Sequence, residues 1–337
     1  MAVYIIGEAG VNHNGNLNTA KLLARLAKEA GCDCVKFQTF QADKLVTPTA
    51  PMAEYQEKNI GKPNSQYQML KQLELSFDAF GELYQYCHEI GIDFLSSPFD
   101  EDSADFLDAM GVNAFKISSG EITNKPLLQH IAGKGKKIYL STGMSDLEEV
   151  EKAVSWIYAT GNRELVLFHC TSNYPAAYNT VNMKAMLLLK NKFHCEVGYS
   201  DHTAGTEIPI LAVAMGAQVI EKHFTFDKNA EGPDHKASLS PEELSAMVAE
   251  IRHVEAAFGN GTKEPAAEEL STRNVARKSL AWKRDLPDNH VIELCDVCCM
   301  RPGTGLQPEK LEYIIGKHTT RNCYKNTLIS EKDIFGI

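Results

Sequence analysis

Short apolar runs alternate with amphipathic stretches of helical period over the first three quarters of the chain. Eight runs have the length and β-branched content of buried strands: Val3 to Gly7, Cys34 to Gln38, Phe94 to Ser97, Ala114 to Ile117, Ile138 to Ser141, Leu165 to Cys170, Glu196 to Ser200 and Gln218 to Glu221. Between them lie helical patterns at Thr19 to Ala30, Phe77 to Ile90, Glu101 to Met110, Leu147 to Ala159 and Thr206 to Met215. Eight such alternations predict an α/β fold, a (β/α)8 barrel of ~250 residues. A doubly wound sheet, with its usual ~5 or 6 strands, would leave two units unused.

The pattern breaks twice. Phe40 to Ser76 separates the second strand from its helix, and a connection that long is usually a lid or a binding segment. Its Pro48, Pro51, Gly61 and Pro63 argue against regular structure, while Tyr55, Gln56, Asn59, Gln66 and Tyr67 offer hydrogen-bonding groups. A substrate-covering excursion and a tolerated insertion fit equally. After Phe258 the period stops, and Gly259 to Ser271 has linker composition. Strand-like runs at Lys278 to Trp282, Val291 to Leu294 and Val297 to Met300 follow, broken by turn residues. The expected organisation is a barrel over 1–258, a linker over 259–275 and a small, mainly β domain over 276–337. A domain of ~60 residues is marginal alone and leans on a partner surface.

Composition narrows the function. The 337 residues are 44% hydrophobic and 23% charged, ordinary globular values, and the formal charge of -10 argues against nucleic acid and anionic membrane as general partners. With no basic leader and no long apolar run, the sequence reads as soluble and cytoplasmic. Nine cysteines, scattered over predicted strands, one helix and the C-terminal region, suit reduced thiols better than a disulfide framework. The single C-x-x-C at Cys295 and Cys298 lacks the second pair that a structural zinc usually needs.

The predicted strand ends carry polar groups where apolar ones would pack better. In a barrel these ends share the C-terminal face, where the fold places its chemistry. They are Glu8, Asn12 and His13; Lys36, Gln38 and Thr39; Ser96 and Ser97; Lys116, Ser118, Ser119 and Glu121; Ser141 and Thr142; His169, Thr171, Ser172, Asn173 and Tyr174; then His202 and His223. Either imidazole alone reads as a hydrogen-bonded core residue, but two at consecutive strand ends, with Glu8, Asp201 or Glu221 nearby, suit a divalent cation with open positions. Lys36 and Lys116 interrupt apolar runs, so each is either salt-bridged or an anion ligand, and strand-end hydroxyls beside them suit a phosphorylated or carboxylated substrate. Asp234, in the turn Gly232 to Asp234, is placed either to reach a polyol or to cap its own turn.

These residues fall in ordered motifs: GEAGVNHNG at Gly7, VKFQT at Val35, SSPFD at Ser96, FKISSGE at Phe115, LSTGM at Leu140, HCTSNYP at His169, SDHT at Ser200, EKHFT at Glu221 and GPDHKASL at Gly232. Together they resemble the bacterial sialic acid synthase family, and RPGTG at Arg301 resembles its antifreeze-like (SAF) domain. The resemblance implies condensation of phosphoenolpyruvate with an N-acylated mannosamine-type aldose, of the N-acetylneuraminate or the N,N'-diacetyllegionaminate synthase type. It implies His202 and His223 as ligands of Mn2+ or Mg2+, and Lys36, Ser97, Lys116, Ser119 and Ser200 as phosphoenolpyruvate contacts. Glu8, Gln38, Tyr174, Glu221 and Asp234 would lie near sugar or metal, with Glu8 or Glu221 as acid or base. The next contact falls on Ser172 or Asn173. Arg301 would enter the site of the partner in a domain-swapped homodimer.

Three other functions remain for these residues. A synthase using a phosphorylated sugar would need further cations, for which the loops offer Lys44, Lys125 and Lys222. A metal-dependent hydrolase would usually show a richer His/Asp set at strand one, and a non-catalytic carbohydrate-binding barrel would not need both lysines and both histidines.

Overall fold

The structure is a computed structural model and describes residues 2–53, 56–57 and 65–336. It divides into two compact units, 1–259 and 260–337.

The first unit is the expected barrel. Its strands are β1 (Tyr4–Gly10), β2 (Cys34–Thr39), β3 (Asp93–Pro98), β4 (Ala114–Ile117), β5 (Lys137–Ser141), β6 (Leu165–Cys170), β7 (Glu196–Asp201) and β8 (Val219–His223). All ladders are parallel and run in the order β3-β2-β1-β8-β7-β6-β5-β4. Among the described residues β3 and β4 lie side by side without a ladder, so the ring has one seam.

Side chains alternate across each strand, which divides the apolar residues into two cores. Outward-facing Val35, Phe37, Phe115, Ile117, Leu140, Leu167, Val197 and Ile220 bury themselves against the helices, as do Leu23, Leu83, Leu107, Leu128, Ile131 and Ile157 on the helix side. Each such fully buried side chain contributes about 1.5–3 kcal/mol. Inward-facing Ile6, Cys34, Leu95, Tyr139, Val166, Phe168 and Val219 fill the lower barrel. Gly198 leaves room for this plug, because a Cβ there would stand 2.8 Å from both the Phe168 ring and the Val219 carbonyl oxygen.

The helices start and stop on local signals. Ser76 caps the helix Phe77–Ile90 through Ala79 N–H, and Gly91 ends it in the left-handed conformation at φ 69°. Asp146 and Glu149 form a capping box on the helix Leu147–Ala159, and Ser240 and Glu243 repeat the device on Pro241–Ala257. Replacing such a cap by alanine costs about 1 kcal/mol.

The long excursion is more regular than its prolines suggest. Short helices at Ala42–Leu45 and Gln66–Leu73 lie within it, the second capped by Ser65. Val11, Phe40, Met52, Met69 and Leu73 form a small apolar cluster that fastens it. Gln66 and Tyr67 are helical, whereas Tyr55, Asn59, Gly61 and Pro63 lie outside the described residues.

The second unit carries one antiparallel pair, β9 (Ser279–Trp282) with β10 (Val297–Met300), over a core of Leu280, Trp282, Leu286, Ile292, Ile314, Cys323, Ile329 and Ile334. One expectation fails here, the strand at Val291 to Leu294, and the linker holds a helix, Glu269–Ala276. Val291 makes a single bridge to His318, and Leu294–Asp296 is a 3-10 turn, because buried Asp296 accepts from Glu293 N–H at 2.9 Å and turns the chain. That turn belongs to an internal repeat. Arg284, Asn289, Ile292 and Asp296 recur at the same spacing as Arg321, Asn326, Ile329 and Asp333. Both asparagines have positive φ, 58° and 63°, and both aspartates pair with their arginine, at 2.5 and 2.6 Å.

Candidate active site

Above the apolar plug the inward positions turn polar. A cavity of about 390 Å3 opens at the C-terminal strand ends, lined by Glu8, Lys36, Gln38, Ser97, Lys116, Ser119, Ser141, Ser172, Tyr174, Ser200, His202, Glu221, His223 and Asp234 among others. A larger cavity, about 820 Å3, lies at the opposite end. Its main charges are satisfied by neighbours, Asp93 by Tyr4 at 2.6 Å and Lys137 by Glu196 at 2.8 Å. The reactive groups are therefore in the smaller one.

Four buried charges compensate one another on its floor. Lys36 Nζ lies 2.8 Å from Glu8 and 3.8 Å from Glu221, and Lys116 Nζ lies 3.6 Å from Glu221. Burial pulls the Lys36 ammonium down, but Glu221 and Glu8 outweigh it and raise the net value. Lys116 is lowered, because burial, with repulsion from Lys36, exceeds the pull of Glu221 and its weaker neighbours. Burial opposes ionisation of Glu221, yet Lys116 and Lys36 hold it below the ordinary carboxylate range. For Glu8 burial wins, and its carboxyl is pushed up to about 7. Hydroxyls complete the floor: Ser97 accepts from Lys36 at 3.4 Å, Ser141 accepts from Lys116 at 2.7 Å and Ser200 donates to Glu221 at 3.1 Å. The Phe168 ring under Lys116, at 5.4 Å, links this floor to the plug that Gly198 makes room for.

The two histidines meet at the rim. Their ring centroids are 5.5 Å apart, with the Tyr174 ring 4.2 Å from His202 and 5.7 Å from His223. His202 Nδ1 donates to the Thr171 carbonyl at 2.8 Å, which leaves Nε2 with its lone pair. His223 Nδ1 is buried without a partner, as are one oxygen each of Glu8 and Glu221. Burial lowers His202 to about 4 and His223 well below its usual value, so both rings are neutral donors at physiological pH.

Several strand-end groups face elsewhere. Asp201 does not join the imidazoles: it points outward from β7, bonded to Lys222 and Thr203. Among the described residues no three His, Cys, Asp or Glu side chains gather as a metal centre. Thr39 and Ser96 bond each other at 2.7 Å, and His169 donates to the Val181 carbonyl at 2.7 Å. Ser172 lines the cavity, whereas Asn173 Oδ1 accepts from Tyr174 N–H at 3.1 Å. Lys44 is paired with Asp102, Lys125 lies over the Trp156 ring at 5.9 Å and Lys222 is behind the barrel wall, so none lines the cavity. Arg301 is in the second unit, exposed at the end of β10.

An apolar wall was not foreseen from the sequence. Val11, Ala53, Met69, Leu70, Leu73 and Phe99 line one side of the cavity, and Met144 also lines it. The helical spacing of Met69, Leu70 and Leu73 was a readable signal, masked by the prolines before it. Gly143 is a second unforeseen feature. Its N–H donates to Ser119 Oγ at 3.0 Å, and a Cβ on it would stand 2.3 Å from Ser172 Oγ.

Comparison with known proteins gives the chain a family. Residues 23–263 match the NeuB family. The chain is 49% identical over 333 residues to N,N'-diacetyllegionaminic acid synthase of Legionella pneumophila, covering 98% of this chain and 94% of that one. It is 46% identical to the Campylobacter jejuni enzyme of the same name, covering 97% and 98%. The crystal structure of the N-acetylneuraminic acid synthetase of Leptospira borgpetersenii superposes with a TM-score of 0.71 at 34% identity, covering 81% and 90%. With a family match across most of the barrel and near-full-length relatives at this identity, the chain belongs to the NeuB family.

Proposed function

We propose that the protein condenses phosphoenolpyruvate with 2,4-diacetamido-2,4,6-trideoxymannose, an N-acyl hexosamine-type aldose, to give a nonulosonic acid and phosphate. The observation that carries this reading is the pairing, in one cavity, of a floor with two buried lysines and an apolar wall. The floor suits the phosphate and carboxylate of phosphoenolpyruvate, and the wall suits a deoxygenated C6 and a second acetamido group better than hydroxyls. Its likeness to two diacetyllegionaminic acid synthases supports that acceptor over N-acetylmannosamine, the other candidate. A phosphorylated acceptor is disfavoured, since Lys36 and Lys116 are the only lysines among the described lining residues and the floor uses both.

Residue roles follow from position. Lys36 and Lys116, with Ser97, Ser119, Ser172 and Ser200, hold the anion and align its C3 with the sugar aldehyde in a site with little water. The C3–C1 bond forms, the aldehyde oxygen takes a proton, water adds at C2 and phosphate leaves. Glu8, whose carboxyl is pushed to about 7, is placed to give the proton; Glu221, held ionised by the lysines, is placed to take one from water. Gln38 orients Glu8 from 3.2 Å. Tyr174 and Asp234 face the acceptor.

His202 and His223 would hold Mn2+ or Mg2+, and the unpartnered, buried His223 Nδ1 fits a ligand role. Two imidazoles leave most of the coordination sphere to substrate and water. When bound there, the ion would polarise the sugar carbonyl as a Lewis acid.

The proposal includes an SAF identity for the second unit, with Arg301 reaching the site of a partner subunit in a domain-swapped homodimer. The RPGTG resemblance supports it. A cytoplasmic location goes with it, since phosphoenolpyruvate is a cytoplasmic metabolite; no helix among the described residues is long and apolar enough to cross a membrane. Phosphate release, measured with each acceptor in turn and with and without EDTA, tests the whole. Turnover of N-acetylmannosamine alone would correct the acceptor, failure of both would overturn the reaction, and full activity in EDTA would remove the metal.

A further inference from the structure

Lys222 is an ionic residue in an apolar layer. It is 1% exposed on β8, directly across the ladder from Asp201 on β7, and both point outward toward the helices. Its ammonium is 2.5 Å from Asp201 Oδ2 and donates to the Thr203 carbonyl at 2.6 Å. Asp201 in turn accepts from Thr203 N–H at 3.2 Å and Thr203 Oγ1 at 2.9 Å. Four contacts therefore tie together the two residues that flank His202, and they are anchored to the residue that precedes His223.

Stability alone does not call for this arrangement, because a well-packed apolar pair in a buried layer is often as stable as an ion pair. A lysine does what an apolar side chain cannot, bonding a carboxylate and a backbone carbonyl at once. The peptide it fixes is the one that carries His202, whose ring then meets the Thr171 carbonyl at 2.8 Å and whose own carbonyl accepts from Ala176 N–H at 2.8 Å. We infer that Lys222 and Asp201 are positioning residues, which act from behind the barrel wall to fix His202 in one tautomer and at one distance from His223. The inference rests on the proposed role of the two histidines as ligands.

The test is the paired substitution Asp201→Asn with Lys222→Met, which removes both charges together and leaves no lone buried ion. Mn2+ binding is read from the electron paramagnetic resonance signal of the free ion, and the His202 tautomer from imidazole 15N shifts in metal-free protein. Outer partners of ligating groups typically contribute about 10- to 100-fold in affinity or activity, so Mn2+ affinity and kcat should each fall at least ~10-fold. The phosphoenolpyruvate KM should stay within ~3-fold, since the lysines that bind it are untouched. His202 should lose its single Nδ1–H form. Should the pair fail to fold, Thr203→Val removes only the hydroxyl contact and should shift Mn2+ affinity in the same direction by a smaller factor. Wild-type affinity and a wild-type tautomer, with only the melting temperature lowered, would overturn the inference. If the wild type binds no Mn2+, the metal reading falls and the tautomer result alone decides this one.

Discussion

Lys36 and Glu8 are ladder partners on β2 and β1, and they form a 2.8 Å ion pair with both side chains at least 96% buried. An ion pair so buried contributes little net stability, but it keeps an ammonium charged inside a barrel until an anion arrives. Lys36→Met and Lys116→Met should raise the phosphoenolpyruvate KM by roughly 10- to 100-fold, the worth of one charge-assisted contact, with less change in acceptor KM. Lys36→Met should also destabilise the fold, because Glu8 loses its counter-ion and Glu221 keeps only Lys116. Steady-state phosphate release checks the first effect and urea unfolding the second. Unaltered phosphoenolpyruvate kinetics would return the lysine to a structural role.

Gly143 gives a test that substitutes none of the functional side chains. A Cβ at this position would lie 2.3 Å from Ser172 Oγ and 2.9 Å from both Ser119 Oγ and Cys170 Sγ, so Gly143→Ala must displace the hydroxyls proposed for phosphoenolpyruvate. Its phosphoenolpyruvate KM should rise while the circular dichroism spectrum is unchanged. Gly81→Ala is the control: it sits in a helix interior with nothing within 4 Å and should stabilise by about 0.5–1 kcal/mol. Equal kinetics for the two variants would mean that the crowding around Gly143 is relieved without cost.

Acid sensitivity should report on His13. Its Nδ1 accepts from Gly15 N–H at 3.0 Å, its Nε2 is buried without a partner, and burial lowers it to about 4. The unfolded imidazole titrates near ~6.5, so between the two values the unfolded chain binds more protons. This contribution is complete above the unfolded value and is lost as pH falls toward 4, at up to ~1.4 kcal/mol per pH unit. The raised carboxyls Glu8 and Asp234 act in the opposite sense, but they are common to wild type and variant. Denaturant titrations from pH 7 to 4 should therefore show a flatter decline for His13→Gln, and parallel curves would remove His13 as a cause.

The proposed crossed dimer predicts complementation. Arg301→Ala and His202→Ala, each inactive alone, should regain activity when subunits are exchanged, because one site then draws its histidines and its arginine from unmutated chains. A monomer in sedimentation, or no recovery after verified exchange, would sink the arrangement.

The barrel and its polar rim were legible because both follow from local rules. The strands announced themselves by length and β-branched content, and the inward charges by standing where apolar residues pack better. What could not be read was direction. Asp201 and Glu221 have similar surroundings in sequence, yet one faces the helices and the other the cavity, and only the register of β7 against β8 decides. Thr39, Ser96 and His169 misled for the same reason. The repeat in the second unit was present as spacing, Arg284 to Asp296 and Arg321 to Asp333, but only the buried aspartates and the positive φ of Asn289 and Asn326 make it recognisable as one motif used twice.

The seam between β3 and β4 has a consequence for binding. Ser97 stands on one side of it and Lys116 on the other, so an anion held by both spans a joint where the described strands form no ladder. Phosphoenolpyruvate would then be a clasp as well as a substrate, closing the hoop at its open link. Amide hydrogen exchange along these two strands should slow when it binds, and more so than along β6 and β7, which are already laced together.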